Sequence, residues 1–328
     1  MYRTALSRLL SVSCLVASLA GAALAGPPPP VVGGEPSPAG RWPDTAAVMD
    51  AGITFCTGTL IAPQVVLTAG HCVEGVVGEV KLDAIDADGP GEVIAVTSAI
   101  AYPDWETTYD IAVLLLAEPS TIPPRPLATD CVVTESLVSS APVTLVGYGA
   151  TTPGGEDLNT ALMEGEARIL DADCVGGNGC APAVVPGGEF VAGGAGVDSC
   201  FGDSGGPVYL PTPYGTVVAG VVSRGLDDSP TPCGGGGIYV RPDSVLDWIE
   251  ETAGPVTQAS CAPPPPPVDP GDDTGGDGGG GGQTGEDLGA DTTPSTVTGG
   301  CSATDRGARG MVLVLLGLVV ILALRRRS

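Results

Sequence analysis

The chain has 328 residues, of which 51 Gly and 32 Pro make up about a quarter, so part of it is not packed core. With 13 Lys and Arg against 38 Asp and Glu the formal charge is -25, which repels phosphate backbones and anionic lipid. Nucleic acid is thereby excluded as a partner. The single histidine, His71, excludes a metal centre built on several histidines and a paired-histidine proton relay, and neither a metal nor another cofactor is expected.

In chain order, Arg3 and Arg8, an apolar run over 9–20 and Ala23-Leu24-Ala25 form a secretory signal peptide, residues 1–25, and leave a short leader, 26–30. Cys14 lies inside that run and is discarded with the signal, lipid attachment there being the alternative. Export, and a chain rich in cysteine, fit an oxidising compartment. Residues 31–261 hold 30 acids and 6 bases and are long enough for a substantial core. Apolar, β-branched runs at 65–69, 93–102, 111–117, 143–148, 217–222 and 237–240, separated by Gly, Pro and Asp clusters, predict strands. One helix is predicted at the end, capped by Asp243 or Ser244, with Val245, Leu246, Trp248 and Ile249 on one face and Gly254 just past it. The fold class is therefore all-β with a C-terminal helix.

Residues 262–300, with 12 Gly and 7 Pro among 39, lack the apolar content to fold and read as a stalk with a reach on the order of 35 Å. Then come Gly299-Gly300-Cys301, an apolar stretch over 311–324 and Arg325, Arg326 and Arg327. Fourteen helical residues span only about 21 Å against a hydrocarbon core of about 30 Å. The segment 301–328 resembles the MYXO-CTERM type of C-terminal sorting signal. That resemblance implies attachment or processing at Cys301, a transient apolar helix, and a place at the cell surface or in the medium. A plain C-terminal anchor with an incidental cysteine is the alternative, and in either case membrane contact runs through this segment alone.

Three segments of the folded region carry nucleophilic chemistry: Thr68-Ala69-Gly70-His71-Cys72, Tyr109-Asp110-Ile111-Ala112-Val113, and 198–207 with the sequence DSCFGDSGGP. A serine hydroxyl needs an imidazole to take its proton and a buried carboxylate to fix the imidazole, roles that fall to Ser204, His71 and Asp110. The glycines around Ser204 suit a tight loop in which the N–H groups of Gly202 and Ser204 converge on a developing oxyanion.

With Val31-Val32-Gly33-Gly34 these motifs resemble the trypsin/chymotrypsin family of serine proteases over residues 31–252. The resemblance implies two six-stranded antiparallel β-barrels with the site in the cleft between them. It implies that Asp198 lies at the floor of the pocket for the side chain before the scissile bond, walled by 223–225 and 236–239, so that protein or peptide substrates with basic residues are selected. Ser223, Gly225 and Gly237 belong to that pocket, the two glycines leaving it open. A surface position for Asp198 is the bland alternative in so acidic a chain. The resemblance further implies that Asp203 binds the ammonium of Val31 once an activating protease frees it. It also selects the disulfides Cys56 with Cys72 and Cys200 with Cys233. Cys174 and Cys180 are close enough to pair locally, which leaves Cys131 with Cys261.

Some residues depart from the family pattern. Pro30 precedes Val31 where self-activation by a trypsin would need Arg or Lys. Arg224 replaces the tryptophan common in the substrate channel, a cation that could partly offset Asp198, and Val143 and Leu210 replace a cysteine pair. The functional expectation is an exported serine endopeptidase, cleaving after Arg or Lys through an acyl-enzyme, that meets export and sorting machinery. The competing readings are an inactive protease-like binding or adhesion module tethered at the surface, and an esterase of the same fold.

Overall fold

The structure, a computed structural model, describes residues 31–157 and 159–261. The expected signal peptide, leader, stalk and sorting segment lie outside the described residues. Among the described residues no helix is long and apolar enough to cross a membrane.

After a two-residue strand β1 (Glu35–Pro36), six strands close the first barrel: β2 (Thr45–Asp50), β3 (Ile53–Ala62), β4 (Val65–Thr68), β5 (Glu79–Leu82), β6 (Glu92–Ala101) and β7 (Ala112–Leu116). Their order is β2-β3-β4-β7-β6-β5, antiparallel throughout. A short helix α1 (Asp130–Ser136) follows the crossover. The second barrel is built from β8 (Pro142–Gly147), β9 (Met163–Asp171), β10 (Glu189–Ala192), β11 (Pro207–Thr212), β12 (Gly215–Gly225) and β13 (Gly237–Val240). It runs β9-β10-β13-β12-β11-β8 and closes through β8 on β9, with β1 added to β9. The last element among the described residues is the helix α2 (Leu246–Ala253). These are the two six-stranded barrels and the C-terminal helix that the sequence implies.

The strands form because β-branched and aliphatic residues fill both barrel interiors. Val48, Leu60, Val66, Val80, Leu82, Ile94 and Leu114 pack inside the first. Val143, Leu145, Ile169, Phe190, Leu210 and Tyr239 pack inside the second. Val143 and Leu210, the residues in place of a cysteine pair, are both buried there as ordinary apolar core. A third cluster, including Trp42, Leu67, Val113, Tyr148, Tyr209, Val221 and Ile249, joins the barrels face to face. Two closed sheets packed this way have no long free edge to pair with another chain.

The seam also has a buried polar lock. Trp42 and Tyr209 stack with centroids 4.2 Å apart, and the Arg125 guanidinium lies 5.5 Å and 5.1 Å from their ring centres. Arg125 meets Asp44 in a two-pronged pair, Nε to Oδ2 at 3.0 Å and Nη2 to Oδ1 at 2.5 Å. The Tyr209 hydroxyl donates to Asp44 Oδ2 at 2.6 Å, so Thr45 Oγ1, 2.8 Å away, must be the donor to Tyr209. Asp44 and Thr45 enter the first barrel while Tyr209 belongs to β11 of the second, so the lock spans both.

The helix start differs from the expected cap. A 3-10 turn over Pro242–Val245 precedes α2, and neither Asp243 nor Ser244 caps it. The Asp243 carboxylate instead takes Arg241, and Ser244 Oγ donates to the Gly187 carbonyl. The C-terminal end is as expected, with Gly254 at φ +82° in the region that a glycine adopts without strain.

Replacing Tyr209 by Phe strips a donor from a buried carboxylate, so Tyr209→Phe should lose about 1–3 kcal/mol of unfolding free energy. Urea denaturation measures it; an unchanged midpoint would show that the lock contributes nothing.

Candidate active site

His71 and Asp110 come from the first barrel and Ser204 from the second. His71 opens a single 3-10 turn just after β4, and Asp110 stands just before β7, the strand paired with β4. The two are brought together by that pairing rather than by sequence. Asp110 holds His71 twice: the backbone N–H of His71 donates to Oδ1 at 2.9 Å, and ring Nδ1 lies 2.8 Å from Oδ2. A third bond crosses the seam, from Ser223 Oγ to Asp110 Oδ2 at 2.7 Å. Burial alone would raise the Asp110 carboxyl, but the bonds from His71 and Ser223 outweigh it and keep the group below its ordinary value. Asp110 is thus a fixed anion and Nδ1 carries the proton, which leaves Nε2 free to accept one.

Ser204 lies in the loop before β11. Its carbonyl accepts the N–H of Thr57 at 2.8 Å, and Thr57 Oγ1 donates to the Gly202 carbonyl at 2.8 Å, so β3 of the first barrel holds the serine loop of the second. Gly205 makes this approach feasible. At φ +80°, a Cβ there would fall 2.0 Å from Thr68 Oγ1 and 2.4 Å from the Thr57 carbonyl oxygen. Gly202 sits at φ +98°, and its N–H and that of Ser204 have no acceptor among the described residues. Ser204 Oγ likewise makes no hydrogen bond there. Such bonds are often long in an empty site and tighten around substrate. His71 and Ser204 together line two cavities of about 550 Å³ and 350 Å³. Sequence reasoning missed Thr57: it carries no motif, and only the closed barrels bring it to Ser204.

The second cavity is walled by Ser199, Cys200, Val222, Ser223, Arg224, Gly225, Pro232 and Cys233. Asp198 is 1% exposed, so it is no surface acid. Its Oδ2 accepts the N–H groups of Gly234 and Gly236 at 2.8 and 3.0 Å, while Oδ1 is buried with no hydrogen-bond partner among the described residues. Burial raises the Asp198 carboxyl despite those backbone donors. Gly237 is required on another ground, since a Cβ would come 2.9 Å from the Tyr239 hydroxyl. A Cβ at Gly225 would come 3.4 Å from the Pro232 carbonyl oxygen across the cavity wall. Arg224 does not offset Asp198. Its guanidinium turns to the buried carboxylate of Glu189, Nη1 to Oε1 at 2.8 Å and Nη2 to Oε2 at 3.0 Å.

Asp203 is fully enclosed. Among the described residues its oxygens accept only the N–H groups of Gly149 and Cys200, each at 2.8 Å, and burial pushes the carboxyl up to about 7, aided by the nearby Asp198. Val31 is itself fully buried, and Val32 packs by the Cys200 and Cys233 sulfurs and pairs with Asp198. The disulfides join Cys56 to Cys72 beside His71, Cys200 to Cys233 at the cavity wall, Cys174 to Cys180, and Cys131 to Cys261. The only cluster with metal-ligand spacing among the described residues is Cys56, His71 and Cys72, and two of its sulfurs are spent in a disulfide.

The Trypsin family model matches residues 31–249. Serine protease 56 of Mus musculus is 34% identical over 249 residues, which are 70% of this chain and 40% of that protein. Serine protease 56 of Homo sapiens is 31% identical and is covered to 38%, so the chain spans about two fifths of the length of these relatives. Anionic trypsin of Bos taurus is 31% identical over 220 residues, 62% of this chain and 82% of that one. Among solved structures, neuropsin, a serine protease expressed in the limbic system of mouse brain, superposes with a TM-score of 0.56 at 25% identity, covering 67% of this chain and 98% of that chain.

In the uncleaved chain the Val31 nitrogen is an amide and cannot neutralise Asp203. A carboxyl held near 7 when folded and at 3.8 when unfolded destabilises the fold as pH rises between those values. Relative to Asp203→Asn, the uncleaved chain should therefore lose roughly 4 kcal/mol of stability from about pH 4 to pH 7, measured by denaturant titration at each pH. A pH-independent difference would refute the burial argument.

Proposed function

This chain belongs to the trypsin family of serine proteases, and from that membership we propose that it is an exported serine endopeptidase cleaving after Arg or Lys. The observation that carries the chemistry is the doubly held His71, with its free Nε2 in the same two cavities as Ser204. In this reading Nε2 takes the Ser204 proton as Oγ attacks the scissile carbonyl, and Asp110 steadies the imidazolium that results. The N–H groups of Gly202 and Ser204 receive the oxyanion. His71 returns the proton to the leaving amine, an acyl-enzyme remains on Ser204, and water attacks it by the same route.

Selection of a basic side chain is supported by the unpartnered Oδ1 of Asp198. A buried carboxylate oxygen without a donor costs several kcal/mol, and a guanidinium or ammonium entering the cavity relieves that cost. Activation is supported by the enclosed Asp203, which lacks a cation until Val31 is freed. With Pro30 before Val31, another protease, or trimming of the leader left after signal cleavage, makes that N-terminus. Export and surface tethering rest on the terminal sequences, the sorting machinery acting on 301–328.

On a peptide panel with Arg, Lys, Phe, Leu or Ala before the scissile bond, the chain cut before Val31 should cleave after Arg and Lys. Ser204→Ala should lower kcat about 10⁶-fold while leaving the fold intact. Asp198→Ser should lower kcat/KM for the Arg peptide on the order of 10²–10³-fold and far less for the Ala peptide. Cleavage after other residues would overturn the pocket reading, and cleavage surviving Ser204→Ala would overturn the mechanism.

A further inference from the structure

Strand β12 slips register between Val222 and Arg224, so Ser223 is an extra residue opposite β13. Such a bulge re-aims side chains. Here Ser223 is turned across the seam to Asp110, and Arg224 to β10. Arg224 Nε and Nη2 both donate to the Gly179 carbonyl, at 3.0 and 2.7 Å, inside the loop closed by the Cys174–Cys180 bridge. Its ion pair with Glu189 has a fully buried anion, which also accepts the Ala181 N–H at 2.8 Å. Finally, Arg224 Nη1 donates to Ser223 Oγ at 3.0 Å.

That last bond decides the direction of the next. Guanidinium only donates and carboxylate only accepts, while a hydroxyl has one proton. With Arg224 occupying a lone pair of Ser223 Oγ, the one orientation that satisfies both neighbours sends the hydroxyl proton to Asp110 Oδ2, the oxygen that also faces His71 Nδ1. Without Arg224 the rotor is free to turn away.

We propose that Arg224, anchored by buried Glu189, is a positioning residue for hydrolysis: it commits the Ser223 hydroxyl to Asp110 and so fixes the carboxylate that orients His71. The inference rests on the proposed roles of His71, Asp110 and Ser204. The pair is neutral as a whole, so the Asp110–His71 couple feels a full charge only when one partner is removed.

The test is the pH dependence of kcat/KM on the Arg peptide, with the full chain cut before Val31 and four variants. Glu189→Gln keeps an acceptor for the guanidinium but leaves its charge unbalanced, which disfavours the imidazolium. The acid limb should move to lower pH by about half to one unit. Arg224→Gln strands the anion, so the limb should move up, with kcat reduced about tenfold or more. The double variant should return the limb to its wild-type position while kcat stays low. Arg224→Lys, which restores the cation, should recover most of the loss. The other charged side chains lining the cavities beside His71 and Asp110 are Asp50, Glu74, Glu106 and Asp227, and no variant alters them.

Opposite displacements in the two single variants sustain the proposal. Reduced kcat with an unmoved limb in both overturns it, leaving the ion pair a purely structural tie. If Arg224→Gln fails to fold, as judged by near-ultraviolet circular dichroism, the double variant carries no stranded charge and decides the question: wild-type kcat overturns the proposal. Wild-type activity abolished by Ser204→Ala, measured alongside, keeps the triad reading standing whichever way the limb behaves.

Discussion

Three hydrogen bonds, drawn from both barrels, converge on one carboxylate. Asp110 takes two bonds from His71 within its own barrel and one from Ser223 in the other, so the barrels are registered through a fixed anion. Each barrel closes on itself; the apolar cluster they share and the polar bonds across the seam fix their relative rotation. The Thr57 bonds to the serine loop and the lock of Asp44, Arg125 and Tyr209 act with it. A displacement of about 1 Å between sheets would leave both cores packed and still separate His71 from Ser204, which is the scale at which catalytic geometry fails.

The distribution of charge follows from the same economy. Among the described residues six acids are buried: Asp44, Asp110, Glu164, Glu189, Asp198 and Asp203. Three are matched by arginine, Asp44 by Arg125, Glu164 by Arg41 and Glu189 by Arg224. Asp110 has the histidine. Asp198 and Asp203 have no arginine or histidine partner: Asp198 takes the N–H groups of Gly234 and Gly236 and the Tyr239 hydroxyl, and Asp203 takes the N–H groups of Gly149 and Cys200. The remaining bases are engaged too, Lys81 on the carbonyls of Ala87 and Gly89, Arg168 on that of Ser140, and Arg241 on Asp243. Every basic residue of the described region thus has at least one acceptor.

How much of this was legible beforehand depended on the signal. Strands such as β4 and β7 are continuous apolar runs buried on both faces and could be read directly. By contrast, β9, with the sequence MEGEARILD, mixes Glu and Arg into its outer face, and β3 carries Thr54, Thr57, Gly58 and Thr59, so neither has a clean period. The site residues with motifs could be numbered from sequence, whereas Thr57 and Glu189 could not. A threonine that holds a loop from another barrel, and an acid in a four-residue buried strand, acquire meaning only from contacts more than a hundred residues away or from a partner arginine. Arg224 was visible as an oddity. Its direction was not, because the bulge that aims it exists only in the paired strands.

The bridge from Cys131 to Cys261 closes on the last described residue, 130 positions downstream of its partner. Just before it, residues 257–259 are clamped by Thr257 N–H to Ile61, Leu127 N–H to Thr257 and Ala259 N–H to Leu127. Any tension drawn on the chain beyond Cys261 is consequently delivered to a covalent bond at the start of α1, not to the end of α2. The end of α2 is therefore not the first point to take that load. The C-terminal end of the described fold is thus pinned covalently at α1 and by hydrogen bonds at β3, independently of α2.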